Sequence, residues 1–333
     1  MKESLYLDWN IFNKLEDLNN LTGQEADIYG KMKSSIDDWM FNVPYSNAHL
    51  NDLLRGYLKN PSYTPAHLKF IEELTNNLCI VQYWKQQYAT MHFRDVNEFF
   101  QTIIDEVGFL PESFSELMRS TVSDADDDDT ELMVFANAQR TLIELQLESF
   151  SKRPVPKEFM SIYKADPIFE RIYPRTKVEK TFLALCEDGY KFSMNINSDY
   201  SLYKGLKKYI NAAVHKLKNH KDLMTIGDVG PNGPGYLTYE EIYDKSVPDF
   251  KPSANVEYDK IINLFTKLDM SGVNSDEKFQ NMFDDSLHTF YAAHCDYFIT
   301  IDKKCHAKAT EVFKRLGIST QVMFPEEFVK HML

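Results

Sequence analysis

The chain is short of cysteine, of long apolar runs and of positive charge. Its four cysteines (Cys79, Cys186, Cys295, Cys305) are scattered with no CxxC pair, which leaves neither a disulfide framework nor a thiolate zinc site to build on. No stretch approaches the roughly 18 consecutive apolar residues of a membrane helix. The N-terminal MKESLYLDWN has no basic segment leading into an apolar one, so a signal peptide is not expected. A reduced, cytoplasmic setting away from the membrane fits these absences. Lys and Arg number 37 against 50 Asp and Glu, a formal net charge of −13. That balance counts against a surface coated for nonspecific nucleic-acid binding, because phosphate contacts come mainly from Lys and Arg. It does not exclude a metal-dependent nuclease, whose centre needs carboxylates and whose substrate can be held by a local basic strip.

What is present is enough for a substantial core. Hydrophobic residues make up 43% of 333, with 23 Phe and 19 Tyr, and the length suits one elaborated domain or two smaller ones. Short apolar runs at Ser4–Asp8, Trp39–Tyr45 and Leu78–Trp84 read as strands. Ser46 is placed to cap the helix that carries His49, Asp52 and Leu53. From about 93 to 275 helical patterns take over, among them Asp95–Glu106 and Thr130–Glu148. The acidic run Asp124–Asp129, the stretch Arg153–Pro156 and the Gly/Pro loop Gly227–Gly235 break them. That loop lacks the Gly-Lys-Ser/Thr ending of a phosphate-binding loop, and the acidic run lacks the Gly and closing Glu of a calcium-binding loop. Strand–helix alternation returns at the end, with a helix over Lys278–His294, a strand over Asp296–Thr300, a helix over Ala307–Leu316 and a strand over Thr320–Phe324. The pattern predicts an α/β fold with a central parallel sheet, interrupted by a mainly helical insertion. Residues 1–92 and 276–333 would form the core and 93–275 the insertion.

In parallel sheets, sites form beyond the carboxyl ends of the strands. Asp8 follows the first strand, Asp302 follows the strand near 300, and Asp285 lies on the helix leading into that strand. Asp52 sits one turn into the helix after the second strand. Carboxylates brought together repel unless a cation compensates them, and an all-oxygen, thiol-free set suits Mg²⁺ or Mn²⁺ better than zinc. His49 and His288 each stand three positions from a candidate acid, within reach of one helical turn. Asp284 competes with Asp285. At about 100° per residue the apolar stripe of that helix puts Asp284 at its border and Asp285 almost opposite, beside the small residues Thr289 and Ala292. Lys204–Lys221 holds six lysines and no acid. There Leu206, Tyr209, Ile210, Ala213, Val214 and Leu217 form an apolar face, and Lys204, Lys207, Lys208, His215 and Lys218 gather opposite it, a strip suited to a phosphate backbone.

LYLDWN at 5–10, PYSNAHLNDL at 44–53 and DSLHTFYAAHCDYFITID at 285–302 resemble the motifs of PIN-domain nucleases, in particular bacterial PIN-like proteins. The resemblance covers roughly residues 1–90 and 276–333, and its C-terminal stretch is the most specific part. It implies a PIN-like three-layer core and a metal-dependent nuclease. Asp8, Asp285 and Asp302 would be the metal ligands and Asp52 a fourth acid of the site, at a place where the family more often has Glu. Asn10 corresponds to the polar residue two positions after the first acid, and the Asp-x-x-His spacing of Asp285 and His288 selects Asp285 over Asp284. The implied reaction is phosphodiester hydrolysis, with RNA rather than DNA as substrate, in a toxin or antiphage effector held in check by a regulatory protein partner. A noncatalytic scaffold that keeps the same fold to bind nucleic acid or protein is the alternative. An aspartate-based phosphatase would need a second acid where Asn10 stands.

Overall fold

The computed structural model describes residues 2–83, 86, 88–107, 111–122, 130–155, 181–197, 199–219 and 256–333. Among them are thirteen helices and six strands in two small sheets, so the chain is α/β and mostly helical. The acidic run Asp124–Asp129 and the loop Gly227–Gly235 lie outside the described residues. The chain divides into two compact units. The first holds Met1–Asp105, Asn211–Asp276 and Asn281–Leu333, and the second holds Glu106–Ile210 and Glu277–Gln280.

In the first unit, β1 (Leu5–Leu7), β5 (Tyr297–Ile299) and β6 (Gln321–Met323) form a parallel sheet in the order β1-β5-β6. Leu5, Tyr6 and Leu7 face Tyr297, Phe298 and Ile299 in register. All six are buried, and strands with both faces covered have no polar alternation, which is why they read as continuous apolar runs. The other edge of β1 meets the stretch around Asn42. Leu5 N–H donates to the Asn42 carbonyl at 2.8 Å, and Asn42 N–H donates to Glu3 at 2.9 Å. That stretch leads into β2 (Tyr45–Ser46), which pairs in parallel with β3 (Leu78–Val81), and β3 pairs antiparallel with β4 (Thr90–Phe93). The chain therefore leaves β1 toward one side and returns to its other side with β5. This is a topological switch point, and it opens at the carboxyl end of β1.

Two details depart from the sequence expectation. The second strand is far shorter than Trp39–Tyr45. Trp39 sits in the left-handed region at φ 58°, and Pro44 has no N–H to give to a ladder. The antiparallel β4 has no counterpart among the expected strands. It is an edge strand, largely solvent-exposed, so it carries no apolar run to announce it.

Helices α1 (Trp9–Glu16), α2 (Gly23–Asp37), α3 (Asn47–Lys59), α4 (Thr64–Thr75) and α5 (Val96–Val107) complete this side of the unit. Ile11, Phe12, Met32, Leu50, Leu53 and Ile71 from the first four are core residues. So are Val96, Phe99, Phe100 and Ile103 of α5, and the compact unit accordingly runs to Asp105 rather than ending at 92. The second unit holds α6 (Phe114–Ser120), α7 (Thr130–Lys152), α8 (Phe182–Ile196) and the first half of α9 (Tyr200–Asn219). Glu187 of α8 caps α6 by accepting from Phe114 N–H at 2.8 Å and Ser115 N–H at 3.0 Å, which suits an anion at a helix N-terminus.

The first unit resumes with α10 (Val256–Met270), α11 (Phe279–Ala292, whose first two residues belong to the second unit), α12 (Lys303–Leu316) and α13 (Pro325–Met332). The α12 helix ends where Gly317 takes φ +68°, the left-handed conformation glycine adopts without steric cost.

If α5 belongs to the first core, Phe100→Ala will lower the urea-unfolding free energy by about 3–5 kcal/mol. A loss under about 1 kcal/mol would mean that α5 is dispensable to that core.

Candidate active site

The β1–β5 pairing places Asp8 beside Thr300. Asp8 N–H donates to the Ile299 carbonyl at 2.9 Å, and Thr300 Oγ1 donates to Asp8 Oδ2 at 2.7 Å. The same threonine oxygen accepts from Asp302 N–H at 3.0 Å. Asp302 then caps α12, its Oδ1 accepting from the N–H groups of Lys304 (2.7 Å) and Cys305 (3.0 Å). An N-capping carboxylate is favoured by the helix dipole. The helix thus begins at Lys303 rather than near Ala307. Thr300, inside the stretch DSLHTFYAAHCDYFITID but given no role there, is the residue that joins the two acids.

Asp8, Asn10, Asp52, Asp285, His288 and Asp302 all line one pocket of about 200 Å³, a size suited to a phosphate group with ions or water rather than to a drug-sized ligand. Trp9, Arg55, Asp276, Asn281 and Asp284 complete its wall. Of these only Asp284 figured in the sequence reading. Asp285 is half-buried, and its carboxyl is held well above the usual carboxylate range. Burial is the main cause, followed by the charges of Asp8, Asp276 and Asp302, with Lys308 opposing them. Asp284 is 7% exposed and accepts from Arg55. The two neighbours therefore differ: Asp284 is paired with Arg55, and Asp285 is shifted by burial and then by the other acids.

The histidines behave differently from the one-turn pairing their spacing allowed. His288 Nε2 lies 2.8 Å from Asp52 Oδ2 and 4.0 Å from Asp8 Oδ1, so it reaches across to α3 rather than along its own helix. Burial pushes the His288 pKa down to about 4, with Arg55 assisting and Asp8 opposing, so the ring is neutral at pH 7. Its Nε2–H donates to the Asp52 carboxylate, and its Nδ1 accepts from Tyr6 Oη at 2.9 Å. Tyr6 Oη in turn accepts from Ser46 Oγ at 2.7 Å. His49 lies outside the pocket. Fully buried, it meets the Leu7 carbonyl with Nε2 at 2.7 Å and accepts the Ser46 N–H on Nδ1 at 2.9 Å. A carbonyl can only accept, so the Nε2 of His49 carries the proton. Burial, and then His288, hold its pKa well below the ordinary value. His49 is a neutral brace behind β1, and no hydrogen bond joins it to Asp52 among the described residues.

Two cations balance part of the acid. Arg55 donates to Asp52 and Asp284 from separate Nη atoms. Lys308 is fully buried and donates to Asp269 at 2.9 Å and to Asp276. Those two carboxylates raise its pKa against the effect of burial. Among the described residues no Lys or Arg side chain forms an ion pair with Asp8, Asp285 or Asp302, although Arg55 and Lys308 act on Asp285 through space. The donor set is oxygen throughout, which fits a hard divalent cation, although among the described residues no group of three His, Cys, Asp or Glu side chains is spaced to hold a metal ion.

Of the lysine strip, Lys204, Lys207 and Lys208 belong to the second unit. Lys204 and Lys208 are exposed, and the Nζ of Lys207 lies 4.3 Å from the Tyr203 ring. The side chain of Lys218, and those of Tyr209, Ile210, Ala213, Val214 and Leu217 on the expected apolar face, lie outside the described residues. Comparison with protein-family models, curated proteins and solved structures returns no match to this chain.

Neutral buried histidines predict an acid weakness. His288 titrates near 4 when folded and near 6.5 when unfolded. The unfolded chain thus binds more protons between those values, and stability falls as pH drops from about 6.5 toward 4, by up to about 1.4 kcal/mol per pH unit for this residue. Above about 6.5 the histidine contributes no slope. Urea unfolding between pH 7.5 and 4.5 will show a shallower decline for His288→Gln than for wild type. Parallel curves would contradict the assignment.

Proposed function

We propose that the chain is a metal-dependent nuclease that hydrolyses phosphodiester bonds, with RNA as the expected substrate and a PIN-like core. The observation that carries this reading is the gathering of Asp8, Asp285 and Asp302 around one small pocket at the switch point of the sheet, with the Asp285 carboxyl raised by burial and then by the other acids. A perturbed acid in a cleft, beside other acids, is a candidate functional group. The resemblance of LYLDWN, PYSNAHLNDL and DSLHTFYAAHCDYFITID to PIN-domain motifs supplies the reaction class and the RNA preference, and a toxin or antiphage role under a regulatory protein partner rests on that resemblance alone.

Asp8, Asp285 and Asp302 would hold Mg²⁺ or Mn²⁺. Such an ion lowers the pKa of a bound water and offsets charge on the phosphate and leaving oxygen. Hydrolysis joins the water oxygen to phosphorus and breaks one phosphorus–oxygen ester bond, with the water's two protons divided between the leaving oxygen and the medium. The chain's own residues fix the geometry. Thr300 and the first amides of α12 orient Asp8 and Asp302. His288 holds Asp52 through a relay that ends in the buried Ser46. Asn10 adds an amide at the rim. The lysines of α9 remain candidates for gripping the nucleic-acid backbone.

A noncatalytic scaffold is the competing reading. It leaves the mutual repulsion of the acids without a use, which favours the enzyme. The test is incubation with labelled RNA and DNA panels in Mn²⁺, Mg²⁺ or chelator. Cleavage will require the metal. Asp285→Asn will reduce it at least about 100-fold, more than is usual for a residue that only supports a ligand, without unfolding the protein. Asp284→Asn will retain most of it. The reverse pattern would make Asp284 the metal-facing acid, and absence of cleavage on every substrate would favour the scaffold.

A further inference from the structure

Every acid of the pocket makes it a worse place for a phosphodiester. The substrate carries its own negative charge into a wall formed by Asp8, Asp52, Asp276, Asp284, Asp285 and Asp302. Among the described residues, Arg55 is the one Lys or Arg side chain on that wall. We infer that Arg55 is a substrate-contacting residue whose guanidinium binds the nonbridging oxygens of the scissile phosphate, an assignment that rests on the nuclease reading above.

Donor counting carries the inference. A guanidinium has five N–H donors. Arg55 commits one Nη to Asp284 and the other to Asp52, which leaves three N–H groups. The Arg55 side chain is 40% exposed while its two partners are 7% and 10% exposed, so the acids are covered and the guanidinium stays reachable. The fork is also held in place before any ligand arrives. Asp52 is fixed from behind by His288, and Asp284 stands on a different helix, so rotation of the arginine would break both contacts. A pre-set planar fork matches phosphate oxygens in a way that a lysine point charge does not, and donors aligned beforehand stabilise developing charge most effectively.

Neither neighbouring lysine lines the pocket. Lys308 is fully buried between Asp269 and Asp276. Lys304, 3.8 Å from Asp276, is not on the pocket wall.

A purely structural role as a tether between α3 and α11 makes different predictions. Three proteins separate the roles: Arg55→Lys, Arg55→Gln combined with Asp284→Asn so that one buried carboxylate is not stranded, and Arg55→Gln in the inactive Asp285→Asn background. Rates on single-stranded RNA in Mn²⁺ will show Arg55→Lys folded, with kcat/KM down at least about 10-fold, and the double variant lower still. In the inactive background, loss of one phosphate contact will reduce the slope of log Kd against log salt by about 0.7. Unchanged kcat/KM and salt slope, with only the melting temperature lowered, would reduce Arg55 to a tether and leave the nuclease reading intact. If wild type cleaves nothing, the nuclease reading falls separately. Arg55 is then judged with inorganic phosphate in Mn²⁺: weaker binding by Arg55→Lys than by wild type upholds the anion contact, and equal binding or none overturns it.

Discussion

The parallel ladder between β1 and β5 is the constraint on which the rest depends. It brings together residues 292 positions apart, Asp8 and Thr300, and ties them with one hydrogen bond. A one-residue slip in that register would turn the side chains of β1 to the opposite face. Leu5, Tyr6 and Leu7 are all fully buried, so the slip would also misplace the core. Position at the site and packing of the sheet are thus fixed by the same interaction.

Acid density is managed by several forms of compensation. Asp302 leans on helix amides, Asp8 on a threonine hydroxyl, Asp52 and Asp284 on Arg55, and Asp276 on the buried Lys308. Asp285 has no ion pair among the described residues, and burial, followed by the neighbouring acids, holds its carboxyl well above the ordinary range. Buried ion pairs add little net stability because desolvation offsets attraction. Their value here lies in fixing geometry. The neutral Ser46–Tyr6–His288 relay extends the same rigidity with no further charge.

Much of this was legible in the sequence, and what was not has physical reasons. Buried strands such as Leu5–Leu7 and Leu78–Val81 announce themselves as apolar runs. Acids at strand ends follow from the fold class, and Asp8, Asp52, Asp285 and Asp302 do share a pocket. Local spacing failed where contacts are nonlocal. His49 and His288 were set beside acids on their own helices, but His288 meets Asp52 across two helices and His49 meets the Leu7 carbonyl. Arg55 and Lys308 look like ordinary helical cations until the fold sets carboxylates from distant segments against them. The edge strand β4, partly exposed and without an apolar run, left no pattern to read.

The central claim is that Asp8, Asp285 and Asp302 form one cation-binding site, and thermal unfolding with and without Mn²⁺ tests it most directly. A ligand present at about 100 times its dissociation constant stabilises the native state by about 2.7 kcal/mol, a rise of several degrees for a chain of this size. Wild type should show that rise. Asp8→Asn combined with Asp302→Asn should lose most of it while melting at or above the wild-type temperature without metal, because two repelling charges are gone. An equal response to Mn²⁺ in the double variant would contradict the shared site.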